Sequence, residues 1–176
     1  MGVSARVLML VAGLCLTGTA AFAEPANPMV SRVTVTLDPK FVAGGVKTYG
    51  AREVGELAHY LKKTVERSLL AKDRFKANTT GGAVLELVLV DAKPNHPTFK
   101  QMSDRPGLSM QSFGIGGAEI RGEQINADGS RVKLDYSWYE SDIRWSQGLG
   151  TWGDAERAIH GFARRAAEGH ADIPRN

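Results

Sequence analysis

AEIRGEQINADGSRVKLDYSWYES, residues 118–141, carries two alternating runs around one dipeptide, and its reading decides the fold. Asp128-Gly129 is the strongest short-range hairpin signal, because a two-residue turn needs positive φ angles that Asp and Gly reach at low cost. The arms are 118–126 and 131–141. In the second arm Val132, Leu134, Tyr136 and Trp138 share one face, while Arg131, Lys133, Asp135 and Ser137 share the other. In the first, Ala118, Ile120 and Gly122 alternate with Glu119, Arg121 and Glu123. Period two with one apolar face predicts a hairpin lying on a core. The charged faces are expected to pair across it, each pair adding about 0.2–1 kcal/mol and fixing the register.

Upstream, residues 84–90 are almost continuously apolar, interrupted only by Glu86. Such a run predicts a central strand covered on both faces. Residues 30–37 alternate, with Val33, Val35 and Leu37 against Arg32, Thr34 and Thr36, and predict a strand with one buried side. Pro39 and Gly44-Gly45 end that strand, and a linking segment is expected to Tyr49-Gly50.

Between these strands the period changes. Val54, Leu57, Ala58, Leu61, Val65 and Leu69 form the stripe of an amphipathic helix over 51–71, with Arg52, Glu56, Lys63 and Glu66 facing out. A second stripe, Ala155, Ala158, Ile159, Phe162, Ala163 and Ala166, predicts a helix ending near Gly169, with Thr151 or Asp154 able to cap its start. The order is β-α-β-β-β-α. A right-handed crossover makes the first two strands parallel, and the later pairs are antiparallel. The expected fold is α+β: a two-layer sandwich of a mixed four-stranded sheet with both helices on one face. One domain spans 30–170, between a short leader at 24–29 and a polar tail at 171–176.

The first residues give an address. Arg6, the apolar run 7–20 and Ala21-Phe22-Ala23 have the layout of a secretory signal peptide over 1–23. Export to the periplasm follows, and nucleic acid is not an expected partner. The only cysteine, Cys15, lies within that segment, so the exported chain holds neither disulfide nor thiol. Leu14 before it departs from a lipobox, which argues against a lipid anchor. Nothing after residue 23 is apolar for long enough to cross a bilayer, so no transmembrane segment is expected. Loss of Arg6 leaves 21 basic against 19 acidic residues, too even a balance to steer a polyanion. Basic clusters such as Lys72/Arg74/Lys76 are expected on solvated surface or near a helix C-terminus.

Chemistry is mostly missing. The chain has no G-x-S-x-G, H-E-x-x-H or C-x-x-C pattern. Gly114-Ile115-Gly116-Gly117 precedes a strand where a phosphate loop would open a helix, and it is expected to be a flexible turn. His59, His96, His160 and His170 are dispersed, and Glu156 with His160 lacks a third ligand at a recognisable spacing. No metal or cofactor is expected. Residues 93–117 differ in kind: about 25 residues without periodicity, a length that in compact domains marks functional or disordered segments. Either the segment's aromatics cover a sheet edge, or His96, Phe99, Met110 and Phe113 offer contacts and Lys100, Asp104 and Arg105 orient a partner. Trp145 and Trp152 flank the Gly-rich 146–150, where they could stack on a glycan or lid the core.

Gly116-Gly117-Ala118-Glu119-Ile120, Asn126-Ala127-Asp128-Gly129 and Thr151-Trp152-Gly153-Asp154-Ala155, followed by an alanine-rich helix, resemble uncharacterised bacterial envelope proteins of the DUF3313/DUF4410 type. Their element order is similar to the periplasmic domain of penicillin-binding-protein activator lipoproteins and of curli-secretion proteins. The resemblance covers roughly residues 30–168 and implies an architecture, with no catalytic residues to carry over. The expected function is a non-enzymatic periplasmic binding or scaffold module that meets an envelope protein or glycan. The alternative is a hydrolase using His96 with Asp91 or Asp104. An exposed strand edge could also support a homodimer by strand addition.

Overall fold

Asn126 to Ser130 closes the hairpin at the expected place, but through a three-residue loop, 127–129, in which Gly129 and not Asp128 takes positive φ. The Asn126 N–H donates to the Ser130 carbonyl at 2.9 Å, the Gly129 N–H donates to the Asn126 carbonyl at 2.9 Å, and Gly129 takes φ +82°. The computed structural model describes residues 27–146 and 149–169. The signal-peptide and tail expectations, at 1–23 and 171–176, lie outside the described residues. Within them the order is β1 (Val30–Leu37), α1 (Pro39–Tyr49), α2 (Ala51–Leu70), β2 (Ala83–Lys93), α3 (Phe99–Asp104), β3 (Gly117–Ile125), β4 (Arg131–Lys133), β5 (Tyr136–Tyr139) and α4 (Gly153–Glu168), with a 3-10 turn at Ile143–Trp145.

The sheet runs β1-β2-β3, with β4 and β5 both on the far edge of β3. β1 and β2 are parallel, and β3 is antiparallel to β2, β4 and β5. The second hairpin arm therefore splits in two, yet Glu123 faces Lys133 and Ile120 faces Tyr136 in one register. The Leu134 N–H donates to Gly122 O at 2.9 Å between them, so the five strands occupy four positions. Arg131 binds Glu123 across the arms at 2.7 Å, the expected charged pairing.

Both long helices cover one face. Val33, Leu85, Leu87, Leu89 and Ile120 from the sheet meet Leu57, Leu61, Val65 and Leu69 of α2 and Ile159 and Phe162 of α4, all buried. α4 is alanine-rich on this side, so its backbone comes close to α2 and the sheet. At Gly161 an added Cβ would stand 2.4 Å from the Tyr136 hydroxyl. The opposite sheet face is open: Thr34, Glu86, Arg121 and Lys133 are exposed on it. The expectation for 84–90 is thus corrected. β2 is central because both its edges are paired, while only one of its faces is covered.

Two segments expected to lack structure are helical. The linker 39–49 is α1, started by Asp38, whose carboxylate accepts from Lys40 N at 2.8 Å, and by Pro39 in the first turn. Proline suits that position because its missing N–H would be unpaired there anyway. Gly45, read as a terminator, is instead a packing residue, since a Cβ there would come within 3.2 Å of the Phe41 ring and 3.3 Å of Val54. Residues 99–104 form α3 through a capping box. The Thr98 hydroxyl accepts from Gln101 N at 3.3 Å, and the Gln101 side chain accepts from Thr98 N at 3.0 Å.

Arg74 meets a helix C-terminus, one of the two settings expected for its cluster, but inside the protein instead of on its surface. It is buried, and its Nη1 donates to the carbonyls of Ala166 at 2.9 Å and Ala167 at 2.8 Å. A cation there meets the negative end of the α4 dipole. Burial alone pulls its pKa down, and its Nε has no partner.

Candidate functional site

Register brings the two long connections to one end of the molecule. Lys93 faces Gly117, and Gly117 faces Tyr139, so the segments 94–116 and 140–152 begin and end beside the start of α4. Gly117 makes this junction possible. Its φ of +153° is open mainly to glycine, and an added Cβ would sit 2.4 Å from Trp138 O.

A buried polar cluster ties these segments together. Asp154, fully buried in the first turn of α4, accepts at Oδ2 from Asn95 Nδ2 at 2.5 Å, Gly116 N at 3.1 Å and Ser146 Oγ at 3.1 Å. Its Oδ1 accepts from Arg157 at 3.2 Å. Asn95 returns the contact, accepting from Asp154 N at 2.7 Å, and it also binds Gly114 O at 3.1 Å. The Asn95 N–H donates to Thr151 O at 2.7 Å. Three separate stretches therefore converge on one carboxylate. Burying a charge is costly unless hydrogen bonds replace its water, and here four donors do so. The 114–117 glycines, expected to form a flexible turn, are instead packed into this cluster. At Gly116 a Cβ would meet Lys93 O at 2.7 Å.

Of the residues expected to bind, most are displayed and one is not. Phe99 on α3 is 77 % exposed and Trp145 is 66 % exposed, and Met110 and Phe113 stand out between them in sequence. Lys100 is held by Asp104 at 2.7 Å, one turn away on α3, and Arg105 is exposed at its end. His96 is half-buried, with Nδ1 3.0 Å from Ser112 O and its ring against Phe113. Trp152 departs from the set. It is only 8 % exposed, donates from Nε1 to Glu53 at 2.7 Å and meets the Tyr49 ring edge-on. It lids the core, so the two tryptophans do not act as a pair. Sequence reading missed Ile115 and Ile143, both exposed at this end, and missed Asn95 and Ser146 in the cluster.

His96, Asp91 and Asp104 are not brought together: His96 faces Ser112, Asp104 binds Lys100, and Asp91 accepts from the Tyr139 hydroxyl at 2.7 Å. Tyr139 is pushed well above the usual phenol range, first by burial and then by its bond to Asp91. Burial, and then the Asp91 charge, also raises Tyr49. Ser146 meets Asp154 without an imidazole in reach among the described residues. His160 contacts Tyr60 at 3.0 Å, and among the described residues no three His, Cys, Asp or Glu are gathered as a metal site. No helix among the described residues is long and apolar enough to cross a membrane.

No family model matches the chain, and no curated protein matches it. The resemblance to DUF3313/DUF4410-type proteins rests on the quoted motifs alone. Among solved structures the chain is similar to a minor lipoprotein from Acinetobacter baumannii, at 10% identity over 80% of this chain and 92% of that one, with a TM-score of 0.36. A likeness at that score carries no inference about fold or function.

Proposed function

We propose that this chain is a non-catalytic module of the bacterial cell envelope that binds an envelope protein through the loop end of its sheet. One observation carries the reading. Phe99, Met110, Phe113, Ile115, Ile143 and Trp145, each between 43 % and 77 % exposed, are held out on segments that a buried carboxylate anchors. Apolar surface left in water forgoes roughly 25 cal/mol per Å², so large exposed patches mark contact sites. Anchoring removes part of the ordering entropy that flexible loops lose on binding. The leader expected at 1–23 supports a periplasmic setting for this contact. The same carboxylate argues for binding over catalysis, because its hydrogen bonds are spent on holding loops.

The test uses tagged protein and an envelope extract. Wild type should retain a defined partner, and Phe99→Ser combined with Trp145→Ser should release it while circular dichroism stays unchanged. Equal recovery by both proteins, or no partner for either, contradicts the proposal.

A further inference from the structure

A cleft of about 540 Å³ lies between α1 and the carboxyl ends of β1 and β2, well removed in character from the apolar loop end. Ligands of open α/β sheets bind in crevices outside the carboxyl ends of the strands, and that end of the parallel pair is open here. β1 and β2 are that pair, and their ends supply Asp38, Val90 and Asp91 to the wall. Along a regular strand Val90 and Asp91 would point to opposite faces. The register shift between Leu89 and Asp91 turns both toward the cleft, which is what bulges beside binding sites do. On the α1 side Gly44 leaves the cleft open, since nothing stands within 4 Å of where its Cβ would be.

The polar groups are fixed in advance. Asp91 is held at one oxygen by the Tyr139 hydroxyl at 2.7 Å, and Arg121 by Glu119 at 2.6 Å. Each keeps further acceptor or donor capacity. Glu119 opposes Arg121, which leaves Lys40 beside Asp38 and Asp91, so the walls give an anionic ligand no unopposed cation to bind. Tyr49 and Val90 complete the lining, with Phe41 beneath them in the core at 6 % exposure. Trp152, edge-on at 5.4 Å, braces Tyr49 from behind. A pyranose has this pattern of needs: hydroxyls that donate and accept on its rim, and C–H faces that rest on aromatic rings. The volume falls within the range of small-ligand sites, about 300–1,000 Å³.

We propose that this cleft binds a neutral saccharide, with Asp91 and Arg121 hydrogen-bonding vicinal hydroxyls over the Tyr49 ring. Amide chemical shifts of ¹⁵N-labelled protein would be followed on adding N,N′-diacetylchitobiose, cellobiose, maltose or L-glutamate at millimolar concentration. A neutral disaccharide should shift amides of 40–49, 90–91 and 121. Gly44→Leu, which fills the cleft from a position free of steric conflict, should weaken that response at least about tenfold. Asp91→Asn should weaken it too, and the spectrum of Gly44→Leu reports the fold independently. No response to any sugar, a response to glutamate alone, or a sugar response that Gly44→Leu leaves intact would overturn the assignment.

Discussion

Asp154→Ala should be the most damaging single polar truncation in the molecule. It removes the acceptor for Asn95 Nδ2 at 2.5 Å, Gly116 N at 3.1 Å and Ser146 Oγ at 3.1 Å, all in a site closed to water. A buried donor left without a partner costs about 1–3 kcal/mol. Part of this is recovered where the loops relax toward solvent, so the expected loss is about 3–5 kcal/mol, the range for breaking a buried charged contact. Asp154→Asn keeps the shape and one acceptor oxygen, and gives up mainly the exposed side of the Arg157 contact at 3.2 Å. Its cost should be about 1–2 kcal/mol. Urea unfolding followed by tryptophan fluorescence measures both, with the slope checked for two-state behaviour. Because Trp145 rides on a tethered segment, Asp154→Ala should also raise hydrogen exchange in 94–116 and 140–152 under native conditions. A loss below about 1 kcal/mol for the alanine variant, or equal losses for both variants, would refute the reasoning about converging donors.

Other positions separate packing from exposure. Gly117→Ala should cost about 2–4 kcal/mol, since its Cβ would strike Trp138 O and its φ is unfavourable for alanine, whereas Gly44→Ala should gain about 0.5–1 kcal/mol from helix propensity; thermal melts compare the two. Arg74→Met should lower stability by about 1.5–3 kcal/mol through the lost charged bonds to the α4 carbonyls, read as a lower urea midpoint. Tyr139 releases its proton less readily in the folded chain than in the unfolded one, so its contribution is fully present below the unfolded phenol pKa of about 10 and is lost as pH rises through the folded value. Stability should therefore fall with pH above that point, and Tyr139→Phe should flatten the decline in urea titrations at alkaline pH.

The hairpin was legible because Asp128-Gly129 and strict alternation at 131–138 admit few alternatives. The stripes of α2 and α4 were equally plain, for a buried face at helical spacing is a long-range constraint written locally. α1 was misread because glycine carries two meanings. Gly44 and Gly45 punctuate on propensity, yet Gly45 buys close contact with Val54, and only the neighbouring helix reveals that. The signals that outweigh them are local: Asp38-Pro39 at the start of α1, and Thr98 with Gln101 at the start of α3. The apolar run of β2 suggests cover on both faces because composition cannot tell a strand paired at both edges from one buried twice. The site was half legible. Phe99, Met110, Phe113 and Trp145 stood out as apolar residues without a periodic partner. Asn95 and Ser146 did not, because small polar residues in loops look alike until folding brings 59 and 8 residues of separation onto one carboxylate.

Photo-crosslinking in intact cells tests the central claim most directly, with a crosslinking residue placed in turn at Phe99, Trp145, Thr34 and Lys133. The account predicts one discrete crosslinked species from the two loop-end positions and none from the two on the open sheet face. Crosslinks from Thr34 or Lys133 alone, or none from Phe99 and Trp145, would contradict it.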